Sequence, residues 1–386
     1  MATVPITVSI IGAGPAGNYL GYLLAKKGIK ITIYEEHAEI GKPVQCTGIL
    51  TESITKLMKL DNEFVINRIN YVDVFSPNEK TKIKIKDIIV DRTKFDSYIA
   101  KMAQDAGAII KTAHKCIGIN NENGKVKFKT KETIVEIKSD FIIGADGPNS
   151  IIAKIINPNH KIQYYIGKQA LVKGKFEHDT YQVYLDNTIA PKFFGWSVPE
   201  NENYARIGVA TLEPPSKYFD LLLERMNINP KNIIAYQGGL IPVYDPKFKV
   251  SMHDKKNNIQ LAILGDAALQ LKATTGGGII PGMKAAVSLA DWIIKTDNNN
   301  KTNPHKKIKT YEAGLKEINK ELKLHLLMRK MLDKFTNKDY DELLQLLKKP
   351  KVKEELLKTD RDTAIKLAVK LVLKEPKLIK YGFKMF

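Results

Sequence analysis

The residues whose types and spacing suit them to chemistry fall in a few short stretches. "GAGPAG" sets Gly12, Gly14 and Gly17 in the pattern G-x-G-x-x-G, with Ala16 before the last glycine. It follows an apolar, β-branched run, "ITVSII", and opens a stretch with helical spacing. In such a turn the first glycine lets the chain bend tightly and the second lets a pyrophosphate approach the backbone. The third lets helix and strand pack closely. The helix N-terminus then turns its free N–H groups on the phosphates. Glu35 ends the next apolar run, eighteen residues after Gly17, where a carboxylate accepts hydrogen bonds from an adenosine ribose. Strand, glycines, helix and acid together predict a bound dinucleotide; the glycines alone would predict only a tight β-α turn.

Two more apolar runs end in an aspartate: "IIGADGPNS" (142–150) and "LAILGDAA" (261–268), the latter carrying Asp266. A module that binds NAD alone needs neither. The two cysteines, Cys46 in "EIGKPVQCTGIL" and Cys116 in "AHKCIGI", make no disulfide framework and lack metal-ligand spacing. The seven histidines are scattered, and no metal site is expected. Aromatic residues concentrate between Tyr164 and Tyr204, and most of them suit the core of a sheet.

These stretches need a scaffold. The first 34 residues read β-α-β, which predicts a parallel sheet. "YVDVFSPNEKTKIKIKDIIV" alternates apolar and polar residues about a Pro-Asn turn, as a half-exposed antiparallel ribbon does. Residues 163–210 are again strand-rich. The expected fold class is α/β: a discontinuous Rossmann-like domain (1–70, 91–160 and 255–300), an antiparallel-sheet domain (71–90 and 161–254) and a C-terminal helical region (301–386). "DNNNKTNPHKK" (297–307) reads as a linker.

The chain has 386 residues and a formal charge of +19. Residues 301–386 hold 23 Lys and Arg against 12 Asp and Glu, so +11 lies there. Such a tail suits anionic lipid headgroups, phosphorylated substrates or nucleic acid, or is simply a solvated helical surface. No signal peptide and no membrane-spanning run are read, and cysteine usage predicts a reducing cytoplasm.

In this order the motifs resemble the FAD-containing reductases and hydroxylases with the p-hydroxybenzoate hydroxylase fold. The resemblance covers residues 1 to about 300. It implies FAD as cofactor, Asp266 near its ribitol or pyrophosphate, and Arg92 and Cys116 as further contacts. Hydroxylases of this fold usually carry a histidine where Leu269 stands. "GDAALQLKATTGGGII", with Gly278 and Ile279 at its end, is instead similar to the geranylgeranyl reductase family. So are "CTGI" (46–49) and "PKFFGWSVP" (191–199), although Phe194 stands where the family often has tyrosine and Val198 where it often has phenylalanine.

That family's archaeal branch saturates geranylgeranyl chains on glycerophospholipids. The resemblance implies hydride from reduced FAD N5 to one alkene carbon and a proton to the other. It places the loop of Cys46, Thr47 and Ile49 along the flavin, with Gly41 and Gly48 letting the backbone approach the cofactor. Cys46 would then deliver the proton or merely shape the pocket. Trp196, Phe194, Tyr184 and Pro199 would bind the substrate. The partners implied are a polyprenyl glycerophospholipid and an electron donor such as ferredoxin or a reduced nicotinamide. A peripheral contact with the inner face of the membrane is also implied, and nucleic acid is not. The alternatives are a monooxygenase or halogenase acting on an aromatic compound, and a lipid-binding protein with a vestigial flavin.

Overall fold

The computed structural model describes residues 6–298 and 311–358, together with 370, 374 and 375. The expected linker lies almost wholly outside them, as does much of the basic C-terminal stretch. No described helix is long and apolar enough to cross a membrane.

The β-α-β start builds a six-stranded sheet. It contains β1 (Thr7–Ile11), β2 (Lys30–Tyr34), β6 (Ile109–Lys111), β10 (Phe141–Gly144), β16 (Ser251–Asp254) and β17 (Ile259–Ile263), in the order β16-β17-β10-β1-β2-β6. All neighbours are parallel except β16 on β17. Strands β10 and β17 are buried throughout, as covering on both faces requires. Helices α1 (Pro15–Ala25), α2 (Arg92–Asp105) and α5 (Ile279–Asn298) bury Leu20, Phe95 and Trp292 on one face, against Ile10 and Ile33. The other face carries α3 (Ile151–Ile156) and a small antiparallel sheet of β7 (Lys115–Ile119), β8 (Val126–Lys129) and β9 (Ile134–Ile137).

A second, eight-stranded sheet contains β3 (Ile49–Thr51), β4 (Val65–Phe75), β5 (Lys80–Val90), β11 (Tyr164–Lys173), β12 (Thr180–Tyr184), β13 (Gly195–Pro199), β14 (Tyr204–Thr211) and β15 (Ile233–Pro242). Its order is β15-β11-β14-β13-β12-β4-β5-β3. The ribbon about Pro77-Asn78 is the β4–β5 pair, and the sheet reaches back to Ile49 and Val65. It is not wholly antiparallel: β12 pairs with β4 in parallel. A hairpin turn fixes the direction of β5 beside β4, but β12 arrives from far along the chain, so either direction was open to it. Helix α4 (Ser216–Arg225) covers one face with Phe219 and Leu222, over Ala170, Val172, Ile207 and Val209.

The C-terminal region is helical where it is described: α6 (Lys316–Leu332), α7 (Asn337–Leu347) and α8 (Pro350–Lys358). Thr336 and Asp339 form a capping box at the start of α7. Asp341 ties that helix to the β4–β5 turn, accepting from Ser76 at 2.6 Å and Asn78 at 2.8 Å. His325 of α6 bonds Thr274 at 2.6 Å, just before the triple glycine.

Candidate active site

A cavity of about 520 Å³ opens where the C-terminal ends of β1, β2, β10 and β17 meet the second sheet. Gly12, Gly14, Ala16, Glu35, Cys46, Arg92, Cys116, Asp266, Gly278 and Ile279 all border it. At the β1–α1 turn, Gly12 has φ +103°, and a Cβ there would collide with the Ala145 carbonyl. A Cβ at Gly17 would collide with the Gly12 carbonyl, so Gly17 serves strand–helix contact behind the cavity. A Cβ at Gly14 would meet nothing within 4 Å, and Gly14 caps α1 with no side-chain bond of its own. The N-terminus of α1, with Gly14, Pro15 and Ala16, borders the cavity where an anion site needs it. Glu35 stands beside them, accepting from Ala13 N at 2.9 Å and His37 N at 3.0 Å.

Three carboxyl groups sit deeper. Asp146 accepts from Ile151 N at 2.9 Å through one oxygen, while its other oxygen is buried without a partner. Burial pushes its carboxyl above the usual range. Burial does the same to Asp266, with Arg92 pulling the other way. A Cβ on Gly278 would come within 2.6 Å of Asp266 Oδ1, which explains a glycine there. Asp96 holds Arg92 in a two-point ion pair at 2.8 and 3.0 Å. Burial opposes the charge on Arg92, yet Asp96 and the neighbouring Cys46 keep it firmly protonated.

The Cys46 loop is placed by the eight-stranded sheet. Cys46 Sγ accepts from Gly48 N at 3.4 Å, and the Cys46 carbonyl accepts from Arg206 at 2.8 Å. Thr47 and Ile49 do not border the cavity. The Thr47 hydroxyl turns to Gln169 at 2.9 Å, and Ile49 is committed to the sheet, paired with Ile89. Of the two loop glycines, Gly41 borders the cavity and Gly48 does not. A Cβ at Gly41 would lie 2.8 Å from Thr93 Cα, and one at Gly48 would strike the Val90 carbonyl. Gly41 thus lets the loop rest on the start of α2, and Gly48 lets it rest on the end of β5.

The expected substrate residues divide between two faces of the eight-stranded sheet. Trp196 faces the cavity side, its Nε1 donating to Gln169 at 3.3 Å and its ring edge-on to Phe194 at 5.9 Å. Tyr184 and Pro199 belong to the opposite face, because side chains alternate along β12 and β13. Tyr184 stacks on Phe75 at 4.9 Å, packs under α4 and bonds Gln182 at 2.8 Å; burial pushes its hydroxyl up to about 12. It is a core residue, and Pro199 ends a strand. Gln169, Arg206 and Asp96 were not foreseen. Their one sequence signal is a polar residue inside an apolar strand or at helix spacing from an arginine.

Comparison with known proteins shows what this architecture is similar to. Residues 5–188 match the family described as "FAD binding domain". The digeranylgeranylglycerophospholipid reductase of Methanocaldococcus jannaschii is 29% identical, over 97% of this chain and 96% of its own. Over nearly its whole length the chain is thus similar to a protein named as a digeranylgeranylglycerophospholipid reductase. The geranylgeranyl bacteriochlorophyll reductase-like protein of Thermoplasma acidophilum has the same fold, with TM-score 0.84 at 23% identity over 99% of both chains. A flavin-dependent brominase aligns over 99% of this chain at TM-score 0.65 and 15% identity. FAD is the cofactor that the matched domain's description names, and the residues fit it. The space over Gly14 takes a pyrophosphate, Glu35 lies where a ribose would stand, and the orphaned Asp146 oxygen awaits a donor.

Proposed function

We propose that this protein is a flavin-dependent reductase that saturates the double bonds of geranylgeranyl chains on glycerophospholipids. One observation carries the reading: kinship with a reductase of that name runs over 97% of this chain and 96% of the relative, through both sheets and the helical end. A brominase shares the fold alone. Leu269, in a left-handed turn at φ +56°, also stands where the hydroxylases of this fold have histidine.

Bound and reduced, FAD supplies the hydride that one alkene carbon takes up. The chain's own residues do the rest. Gly12, Gly14 and the first turn of α1 hold the pyrophosphate, with Glu35 on the ribose side and Arg92, Asp266, Gly278 and Ile279 toward the flavin. Trp196 and Phe194 give the isoprene an apolar wall that excludes water. Cys46 is our candidate for the proton given to the second alkene carbon. Its sulfur lies against Arg92, whose positive charge offsets the thiolate left behind. Cys116 borders the same cavity but is buried, its thiol pushed up to about 12. Electrons reach the flavin from a separate carrier, a ferredoxin or a reduced nicotinamide. The basic residues after 300 meet the anionic headgroups of the membrane that holds the substrate.

The test is anaerobic. With dithionite as reductant, a digeranylgeranylglyceryl phospholipid gains the mass of two hydrogen atoms per saturated bond. No gain, together with oxygen-dependent NADPH consumption on an aromatic compound, would establish a monooxygenase instead. Cys46→Ser keeps its FAD and slows reduction about 100-fold. A full rate in that variant leaves Cys46 as a residue that only shapes the pocket. Salt-sensitive co-sedimentation with anionic vesicles checks the membrane contact.

A further inference from the structure

We propose that Gln169 and Arg206 are positioning residues for the Cys46–Thr47 turn, clamping it to the cavity face of the eight-stranded sheet and joining it to Trp196. The proposal deepens the reading above, since it rests on that turn lying beside the flavin.

The turn needs such a clamp. Among the described residues, no backbone–backbone hydrogen bond of the loops involves residues 43–47. Side chains from two strands hold it instead. Arg206, on β14, donates to the Cys46 carbonyl at 2.8 Å while its Nε pairs with Glu200 at 2.6 Å. One residue on, Thr47 Oγ1 lies 2.9 Å from Gln169 Oε1 on β11. Trp196 Nε1 lies 3.3 Å from the same oxygen, and Gln169 Nε2 lies 2.6 Å from Gln237 Oε1 on β15.

The chemistry of these groups fixes every orientation. An indole N–H can only donate, so the Gln169 oxygen must face Trp196 and its NH₂ must face Gln237. The Thr47 hydroxyl therefore donates to Gln169, which settles its rotor as well. Gln169 is 4% exposed and Arg206 is 7% exposed, so a lost partner strands a buried polar group. The sheet is cut to admit the network. Across from Gln169 stands Gly208, where a Cβ would come within 2.6 Å of the Gln169 Cβ. On β15, a Cβ at Gly239 would lie 3.2 Å from the Gln45 carbonyl, so the loop rests directly on the strand. Network and turn thus form one body, which carries Trp196 on one side and Cys46 on the other.

Alkylation of Cys46 by iodoacetamide, followed by peptide mass spectrometry in the FAD-loaded full chain, tests the clamp. Buried Cys116 serves as the internal reference. Thr47→Val and Gln169→Met each raise the Cys46 rate about tenfold, the scale of one lost hydrogen bond. The double variant rises no further, because both remove the same interaction. Gln169→Glu, which still accepts from Thr47 and Trp196, returns the rate toward that of the parent. Arg206→Lys, which keeps a cation for Glu200, also raises it. Effects of Thr47→Val and Gln169→Met that multiply in the double, or an unchanged rate in either, would overturn the Gln169 assignment. An unchanged rate in Arg206→Lys would overturn the other. If Gln169→Met fails to fold, Thr47→Val and Gln169→Glu still decide. Alkylation involves no lipid, so its outcome is read apart from the reduction assay.

Discussion

The two ends of the cavity are built by opposite means. At the pyrophosphate end one contiguous stretch, residues 12–17, does the work with backbone groups, and its glycines matter for what they lack. At the flavin-side turn the work falls to side chains from distant strands, with Thr47 and Gln169 separated by 122 positions. The first end should tolerate no added atom at Gly12 or Gly17, whereas the second should tolerate shape but not a change of hydrogen-bonding character.

The largest expected effect tests the first half of that contrast. Gly12→Ala adds a methyl group that runs into the Ala145 carbonyl, at a φ of +103° that alanine resists. Strain of about 3 kcal/mol weakens FAD binding about 100-fold. Fluorescence titration of the apoprotein with FAD measures it. Binding within a few-fold of the parent would mean that the turn can shift and that the contrast is overdrawn.

A smaller effect separates the two faces of the second sheet. Trp196→Phe removes the N–H bonded to Gln169, and the loss lowers kcat/KM for lipid reduction about tenfold. Tyr184→Phe removes the hydroxyl bonded to Gln182 on the opposite face. It costs about 1 kcal/mol of stability and leaves the reduction rate unchanged. Urea unfolding and steady-state kinetics on the two variants provide the measurements. A slowed Tyr184→Phe enzyme would return that tyrosine to the site.

The same contrast explains what could be read from the sequence. Gly12, Gly14 and Glu35 were legible because a turn, a helix start and a strand end are local events whose chemistry needs fixed spacing. Asp266 and Arg92 were legible through family resemblance, and the cavity gathers both. Tyr184 was misplaced because an aromatic run shows that strands are present and hides which face each residue takes. That is settled only by the register of β12 on β13 and β4. Gln169 and Arg206 were illegible because their partners lie on other strands. A lone polar residue in "KQALVK" or "YARIGV" reads equally well as an exposed edge position. Gly41 and Gly48 were noticed for freedom from a side chain; a Cβ would meet the start of α2 at Gly41 and the end of β5 at Gly48, and Gly41 also borders the cavity.

The two thiols offer the finest test, since each belongs to one side of the comparison. Cys116, 6% exposed on β7, has its thiol pushed up to about 12 from an ordinary 9.0 by burial. Below pH 9 the folded and unfolded chains both keep that proton, so Cys116 adds no pH dependence. Above it the unfolded chain releases the proton and the folded chain retains it. Stability therefore falls as pH rises between about 9 and about 12, by about 1.4 kcal/mol per pH unit from this group. Cys116→Ala lacks the contribution. The stability difference between parent and variant should thus shrink by about 1 kcal/mol from pH 9 to pH 10 in urea unfolding. A constant difference would show that the thiol is less sealed than its burial on β7 implies. The two cysteines would then no longer divide into one that meets the substrate and one that only lines the wall.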